Sequence, residues 1–182
     1  MEEFDIAIIG GGPAGIMAAI AASADLNVVL LEKNSSLGSK LLITGGGRCN
    51  ITNEKPIKKL LNSFHDKNFL KHSFYTFTNE MLLDLFRNRG LDFIVEDNNR
   101  VFPETEKSQD ILAILKYYLK DITIKYNYEV SDIKKEDNFI INNDIIAEKV
   151  IIATGGATFP KTGSTGDGYY LTDNPVTDIK YG

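Results

Sequence analysis

Short apolar runs recur along the chain and predict buried strands. Residues 5–9 and 27–31 are two such runs, and the alanine-rich segment 14–24 between them contains no helix breaker. A strand, a helix and a second strand within about 30 residues form a βαβ unit, whose crossover is right-handed. A third apolar run, at 149–153, leads into another glycine loop. The pattern predicts an α/β fold around a parallel sheet.

In the middle of the chain, segments whose apolar residues have helical spacing alternate with short segments typical of β-strands. Ser108 and Asn79 are expected N-caps, and the helices are predicted at 58–64, 69–74, 79–88 and 109–120. A strand is expected at 91–96, and Arg100–Pro103 is expected to be a turn or the end of a strand. Four short β segments with polar turns predict a small antiparallel meander, at 122–126, 128–133, 139–142 and 145–147.

Composition narrows the class of protein. The chain has 182 residues, 43% of them hydrophobic, which is enough for one domain with a core. A net charge of −5 disfavours a nucleic-acid or anionic-membrane partner, and no apolar run approaches the roughly 18–20 residues of a membrane span. Cys49 is the single cysteine, and His65 and His72 have no partner at metal spacing. We expect a cytoplasmic protein that binds no metal, no membrane and no nucleic acid and acts on a small molecule.

The first glycine cluster has a dinucleotide-binding pattern. Gly10, Gly12 and Gly15 form Gly-x-Gly-x-x-Gly between the first predicted strand and helix. Gly10 permits a tight turn, Gly12 lets a pyrophosphate approach the backbone, and Gly15 lets helix and strand pack closely. The helix N-terminus offers N–H groups to the phosphates. Glu32, at the end of the second strand, is placed to accept hydrogen bonds from an adenosine ribose, which favours FAD or NAD over NADP.

A second glycine cluster lies in the polar segment Thr-Gly-Gly-Gly-Arg-Cys-Asn-Ile-Thr-Asn at 44–53. Three consecutive glycines, 45–47, indicate unusual backbone geometry or a ligand contact, although a well-turned surface loop is the alternative. Arg48 offers a fork of donors to a phosphate or a flavin carbonyl, and Asn50 adds a polar contact. Cys49 is either a redox thiol or, as a lone cysteine more often is, a small inert residue.

Two further glycine-rich stretches follow the third apolar run. Ala-Thr-Gly-Gly at 153–156 would bring a second backbone loop to a cofactor at the carboxyl edge of the sheet. The stretch at 160–169, Pro-Lys-Thr-Gly-Ser-Thr-Gly-Asp-Gly-Tyr, is too rich in glycine for a regular element, and a plain connecting loop is the alternative for it. The sequence offers no convincing acid or base, so no catalytic residue is assigned.

These stretches, together with Arg-Val-Phe-Pro at 100–103, resemble the BaiN/YhiN-type FAD-dependent oxidoreductases, the aminoacetone oxidase-like flavoproteins. The resemblance runs from about Phe4 to Tyr170. It implies a Rossmann-like, glutathione-reductase-like domain with non-covalent FAD. It also implies hydride transfer through flavin N5 to or from a small organic or steroid-like substrate, with NAD(P)H as a candidate electron donor.

The resemblance also implies which residues hold the cofactor. The ADP half would contact Gly10, Gly12, Gly15 and Glu32. The flavin half would lie near Lys40, Thr44, Gly46, Arg48, Cys49 and Asn50. The adenine side would be lined by Val130, Ala153, Thr154 and Gly155. Three further residues complete the expected cofactor-binding set, namely Pro13, Ala14 and Lys33.

The chain departs from the family pattern after Tyr170. We expect an FAD-binding domain over 1–170 that is incomplete at its C-terminus, a divergent tail at 171–182, and no inserted substrate domain. Three interpretations remain open. The chain is an FAD oxidoreductase completed by a partner chain or a second copy, a module that binds FAD or ADP without turnover, or an inactive fragment.

Overall fold

In the computed structural model, which describes residues 1–172, the chain groups into two compact units. The first unit comprises Met1–Lys40 and the chain from Tyr117 onward, and the second comprises Leu41–Lys116. The single FAD-binding domain expected over 1–170 stays a prediction. The predicted tail at 171–182 lies almost wholly outside the described residues.

The strands of the two units, numbered along the chain, are β1 (Glu2–Ile9), β2 (Val28–Leu31), β3 (Thr52–Asn53), β4 (Phe93–Glu96), β5 (Arg100–Pro103), β6 (Thr123–Lys125), β7 (Ile133–Lys135), β8 (Phe139–Ile141) and β9 (Ile145–Ile152). The helices are α1 (Pro13–Ala22), α2 (Ile57–Leu61), α3 (Lys67–Thr76), α4 (Asn79–Arg87) and α5 (Ser108–Tyr118). Short 3₁₀ turns lie at Leu41–Gly47, Asp97–Asn99, Pro160–Thr162 and Asp167–Tyr169.

The first unit is built on a six-stranded sheet in the order β6-β2-β1-β9-β8-β7. β6, β2, β1 and β9 run parallel, while β8 pairs antiparallel with β9 and β7. The register places Ile9 beside both Leu31 and Ile152. The carboxyl ends of three parallel strands therefore meet at one edge of the sheet, as the βαβ pattern predicts.

Three details of the predicted β segments are corrected by the structure. Residues 123–125 pair with β2 in the parallel sheet rather than joining an antiparallel meander. The segments expected at 145–147 and 149–153 form one strand, β9, because Glu148 and Lys149 interrupt the apolar pattern but not the pairing with β1. The segment expected at 128–133 is largely irregular, and its strand begins at Ile133.

The core of the first unit lies on both faces of the sheet. All four residues of β2 are buried, as is typical of a parallel strand covered on both sides. Gly15, Ile16 and Ala19 of α1 are buried. A cluster of buried residues joins β1, β2, β8 and β9 to Val130, and comprises Ala7, Ile9, Val29, Leu31, Val130, Ile141, Ile145 and Ala147.

The second unit contains a three-stranded antiparallel sheet in the order β3-β5-β4. Residues 100–103, expected as a turn or strand end, form its central strand β5. Phe86 of α4 is buried and meets Phe93 edge-on, with ring centroids 6.1 Å apart. The N-cap of α4 is Thr78 rather than Asn79, because the Thr78 hydroxyl accepts from the Met81 N–H.

Among the described residues, no helix is both long and apolar enough to cross a membrane.

Candidate functional site

A cavity of about 520 Å³ opens at the carboxyl ends of β1, β2 and β9. Its volume lies within the roughly 300–1,000 Å³ of small-molecule sites. Its lining comes from the first unit: residues 9–14, 31–34 and 38–40, then 128–130, 152–155, 162–164, 167–169 and 171. This is the edge at which open α/β sheets bind their ligands.

Glycines 10, 11 and 15 are required by the packing of the protein itself. Gly10 has φ +107°, and a Cβ there would lie 2.6 Å from the Ala153 carbonyl oxygen. A Cβ at Gly15 would lie 1.9 Å from the Gly10 carbonyl oxygen, and one at Gly11 would lie 2.3 Å from a Leu37 methyl carbon. Gly10 and Gly15 bring β1, α1 and the end of β9 into close contact, and Gly11 lets the turn pack against Leu37 and Glu32.

Gly12 differs from these glycines because its added Cβ would meet nothing within 4 Å. Its φ of −78° and ψ of 178° also suit any residue. Since Gly12 lines the cavity, a side chain there would project into space that a ligand needs. This is what the dinucleotide-binding pattern requires of its second glycine.

The N-terminus of α1 faces the same cavity. The helix begins at Pro13, and its N-cap Gly12 forms no side-chain cap. No capping side chain thus competes for the N–H groups of the first turn, which suit phosphate oxygens. Together with Pro13 and Ala14, which both line the cavity, the helix end fits the pyrophosphate of a dinucleotide.

Glu32 holds two backbone segments at the cavity wall. Its side chain is 6% exposed, and one carboxylate oxygen accepts from the Gly11 N–H at 2.7 Å. The other oxygen accepts from the Asn34 N–H, also at 2.7 Å. A carboxylate has about four acceptor sites, so two remain for ribose hydroxyls. Glu32 therefore fits both the predicted ribose contact and a structural role that the sequence pattern does not reveal.

Lys33 connects the end of β2 to the glycine-rich segment 160–169. Its ammonium donates to Asp167 Oδ2 at 2.5 Å and to Thr165 Oγ1 at 2.6 Å. Partial burial would raise the pKa of Asp167, but the hydrogen bonds from Lys33 and Thr165 outweigh it and hold that pKa below its ordinary value. Lys33 lines the cavity as predicted, although its charge is already paired.

The segment 160–169 contributes cavity residues that the sequence analysis does not assign. Thr162, Gly163, Ser164 and three residues of the last 3₁₀ turn, 167–169, line the cavity. The signal for them was present in the unusual glycine content of this stretch. Spacing alone could not separate a ligand-lining segment from a connecting loop.

The residues expected on the adenine side lie at the cavity. Val130, Ala153, Thr154 and Gly155 all line it. Thr154 Oγ1 accepts from the Gly168 N–H at 3.0 Å, which ties the end of β9 to the last 3₁₀ turn. The structure thus brings Val130 to a site formed by residues far from it in sequence.

Lys40 also lines the cavity, whereas the other residues expected near the flavin do not. Lys40 Nζ donates to the hydroxyl of Thr158 at 2.7 Å. The remaining five belong to the second unit and are absent from the lining: Thr44, Gly46, Arg48, Cys49 and Asn50. Their contact with a flavin stays a prediction.

Arg48 is engaged within the second unit. It donates to Glu96 Oε1 at 2.6 Å and to Glu106 Oε1 at 2.9 Å, and its guanidinium carbon lies 4.1 Å from the Phe102 ring centroid. The hydrogen bonds from Glu96 and Glu106 raise the pKa of Arg48 above its ordinary value. Its donor fork therefore contacts two carboxylates in this structure.

The loop that contains Cys49 has an unusual backbone. Glycines 45–47 have φ of +58°, +69° and +89°, and Cys49 itself has φ +64°. The three consecutive glycines therefore meet a conformational demand of the backbone. Burial raises the pKa of the Cys49 thiol, against a smaller lowering by its hydrogen bond with Thr44. A buried, protonated thiol favours the inert interpretation over the redox one.

Comparison with known proteins identifies the family. The model of the HI0933-like protein Rossmann domain matches residues 4–180. The 3-dehydro-bile acid delta(4,6)-reductase of Clostridium scindens is 34% identical over 175 residues, covering 91% of this chain and 42% of the relative. The ribosomal RNA dihydrouridine synthase of Escherichia coli is 30% identical over 181 residues, covering 95% and 44% respectively. This chain thus spans less than half the length of these curated relatives.

Solved structures share the fold at low identity. The open conformation of a flavocytochrome c3 fumarate reductase has a TM-score of 0.68 at 20% identity, covering 93% of this chain and 40% of that one. The 3-ketosteroid-delta4-(5alpha)-dehydrogenase of Rhodococcus jostii RHA1 has a TM-score of 0.60 at 16% identity, covering 85% and 46%. With the glycine turn, the open helix N-terminus and Glu32 at one cavity, these matches show that the chain belongs to the HI0933-like Rossmann-domain family and has the fold of a Rossmann-type FAD-binding domain.

Proposed function

We propose that this chain is the FAD-binding portion of an oxidoreductase that transfers hydride to or from a small organic substrate. The supporting observation is the cavity at the carboxyl edge of the parallel strands. There, Gly12 leaves room beside the N-terminus of α1, and Glu32 retains unoccupied hydrogen-bond acceptor sites. FAD, when bound, would supply the hydride chemistry through its flavin N5, and the protein would supply binding and orientation.

The residues of the cavity have distinct parts in this proposal. The first-turn N–H groups of α1 would bind the pyrophosphate, and Glu32 would accept from the adenosine ribose. Val130 and residues 153–155 would enclose the adenine side. Lys33 would keep the segment 160–169 against the cavity through its pair with Asp167. Lys40 would lie toward the flavin half, with Thr44, Gly46, Arg48, Cys49 and Asn50 as the further predicted contacts.

The substrate and electron donor are also part of the proposal. A reductase of a bile acid among the relatives supports a small organic, steroid-like substrate. We further propose that NAD(P)H is the electron donor and that the protein is cytoplasmic. Because the relatives are more than twice as long, a complementing chain or a second copy would complete the substrate site. The competing function is a module that binds FAD or ADP without turnover.

The first experiment is the visible absorption spectrum of the purified chain before and after FAD is added and the mixture desalted. A retained flavin band is expected. A colourless protein after desalting, with no saturable FAD binding by calorimetry, would contradict the proposal. Addition of NADPH and then NADH without oxygen separates the two functions, because loss of the flavin band supports turnover and a persistent band supports the binding module.

Replacement of Gly12 by valine tests the phosphate site itself. The folded protein has room for the side chain, so the free energy of unfolding should stay within about 0.5 kcal/mol of the original. FAD affinity should fall at least about 100-fold, because the side chain would take pyrophosphate space. Calorimetric titration gives the affinity and urea denaturation gives the stability. Ala24→Val, at an exposed position outside the cavity, is the matched control.

A further inference from the structure

The segment 128–132 contributes to the cavity wall without being a strand or a helix. Tyr128, Glu129 and Val130 line the cavity, and β7 begins only at Ile133. A wall that recognises one part of a ligand has to be held in one conformation before the ligand arrives, because ordering it on binding would weaken the affinity. Contacts from elsewhere in the first unit must therefore fix this segment.

The start of the segment is held by backbone hydrogen bonds to the chain at the end of β2. The Asn127 N–H donates to the Asn34 carbonyl at 3.0 Å, and the Tyr128 N–H donates to the Glu32 carbonyl at 2.9 Å. These bonds place Tyr128 beside the residue expected to bind the ribose. The contacts that hold residues 129–132 come from a different element, the turn at 142–144 that joins β8 to β9.

This turn has the conformation of a tight hairpin. Asn142 has φ +49° and Asn143 has φ +59°, and the Asp144 N–H donates to the Ile141 carbonyl at 3.1 Å. Two consecutive residues of positive φ closed by such a bond form a type I′ turn, which favours asparagine, aspartate and glycine at both positions. Backbone conformation alone would therefore account for both asparagines, but their side chains have different partners.

The Asn142 amide is bonded on both of its atoms to the segment. Its Oδ1 accepts from the Ser131 N–H at 2.9 Å, from the Asp132 N–H at 3.2 Å and from the Ser131 hydroxyl at 3.2 Å. Its Nδ2 donates to the Glu129 carbonyl at 2.8 Å. Its main-chain N–H donates to the Asp132 carbonyl at 3.0 Å. A side-chain amide supplies an acceptor and a donor together, which a carboxylate or a glycine does not.

The other residues of the turn have separate partners. The Asp144 carboxylate accepts from the Tyr128 hydroxyl, so the turn contacts the first residue of the segment as well. Asn143 Oδ1 accepts instead from Lys134 Nζ of β7, at 2.8 Å. The two adjacent asparagines therefore share a conformation, but only Asn142 bonds to the segment 128–132 through its side chain.

We propose that Asn142 is a positioning residue for the adenine of the bound cofactor. Asn142 is not among the described residues that line the cavity, so it acts through the backbone on either side of Val130. Val130 lies between the Glu129 carbonyl and the Ser131 N–H, both bonded to the amide, and it is buried in the core cluster. This inference rests on the proposed function, which assigns the adenine side of FAD to this wall.

Asn142→Gly removes the side chain and keeps the turn, because glycine readily adopts positive φ. Asn143→Gly makes the same change at the next residue and is the matched control. In the chain without ligand, NMR-detected hydrogen exchange at the 131 and 132 amides should lose at least about tenfold in protection in Asn142→Gly and none in Asn143→Gly. Equal protection in the two variants would overturn the positioning role, and this result does not depend on what the chain binds.

Binding of ADP and of UDP then tests the link to the base. The two nucleotides share the ribose and the pyrophosphate, so the ratio of their affinities reports on contacts to the base. In Asn142→Gly the ratio of ADP to UDP affinity, measured by calorimetric titration, should fall about tenfold, which corresponds to about one hydrogen bond to the base. A general loss of structure would weaken both nucleotides equally and leave the ratio unchanged. Asn143→Gly should leave both affinities unaltered.

The outcomes separate this inference from the proposed function. If the original chain binds FAD and ADP but Asn142→Gly keeps the original ratio of ADP to UDP affinity, the role of Asn142 is overturned and the proposed function stands. If the original chain binds neither FAD nor ADP, the proposed function fails, and the role of Asn142 toward adenine fails with it.

Discussion

At the scale of single residues, Glu32 shows how one side chain can serve both fold and site. Its two oxygens accept from Gly11 and Asn34, so the carboxylate joins the turn after β1 to the residue that begins the loop after β2. Gly12 shows the opposite case, since nothing in the protein requires a glycine there. The position is free of packing demands and open to the cavity, which makes it the clearest indicator of a ligand.

Glu32→Gln tests whether the two hydrogen bonds that Glu32 accepts support both the fold and the cavity. The glutamine amide would present N–H groups to one of the two backbone N–H donors, leaving that donor unpaired at a buried position. We expect the free energy of unfolding to fall by about 1–3 kcal/mol and the affinity for ADP to fall with it. Urea denaturation and calorimetric titration measure the two effects.

The matched control is Glu129→Gln, because Glu129 lines the cavity but is exposed. Its stability should not change. If Glu32→Gln were as stable as the control, the two hydrogen bonds of Glu32 would not contribute to the fold.

At the scale of elements, the segment 160–169 is positioned by polar contacts rather than by regular structure. It contains two short 3₁₀ turns and positive φ at Gly163 and Gly166. Lys33 reaches it through Asp167 and Thr165. Sequence reasoning treats such a stretch as a loop, but these contacts make it one wall of the cavity.

Asp167→Asn should loosen this wall. The lowered pKa of Asp167 means that its pairing with Lys33 stabilises the fold above the unfolded-state pKa of about 3.9 and is lost as pH falls through the lower folded-state pKa. At pH 7 the variant should show lower hydrogen-exchange protection over 160–169 than the original chain. The original chain should approach the variant's protection only at pH values below about 4.

Asp137→Asn removes the same charge from the exposed β7–β8 turn and should leave the protection of 160–169 unaltered. Equal protection in Asp167→Asn and the original chain at pH 7 would show that the segment is held by other contacts.

At the scale of the whole molecule, the six-stranded sheet is the framework that carries the cavity. β9 runs the full length of β1, and its first residues also pair with β8. Ile145 and Ala147 of β9 are fully buried in the cluster that contains Val130. The strand that ends at the cavity thus begins in the buried cluster that contains Val130, another residue of the cavity lining.

Ile145→Ala should therefore destabilise the chain by about 2–5 kcal/mol, since Ile145 is fully buried. Ile146→Ala, at the next residue and on the other face of the strand, makes the same deletion at a half-buried position and should cost less. Urea denaturation followed by circular dichroism compares them. Equal losses would argue against the cluster as the main core of this sheet.

Much of the fold could be predicted from the sequence where neighbours along the chain decide it. The apolar runs give β1 and β2, and the alanine-rich segment gives α1, each within a few residues of the observed bounds. The antiparallel sheet of the second unit could not be predicted in full, because β3 has only two residues and pairs with β5 across α2, α3 and α4. The pairing of β6 with β2 could not be predicted either, because the two strands lie far apart in sequence.

Local spacing is enough to predict the βαβ unit, the Gly10–Gly15 turn and the acidic residue at the end of β2, because these depend on neighbours along the chain. Which distant residues share the cavity depends on the assembled fold, which brings Val130 and Asp167 to it and, within the second unit, pairs Arg48 with Glu96. The assembled fold also reveals that Gly12 alone among the first-loop glycines 10, 11, 12 and 15 faces open space. The physical reason is that spacing fixes backbone conformation, whereas contacts between residues remote in sequence form only when the sheet is assembled.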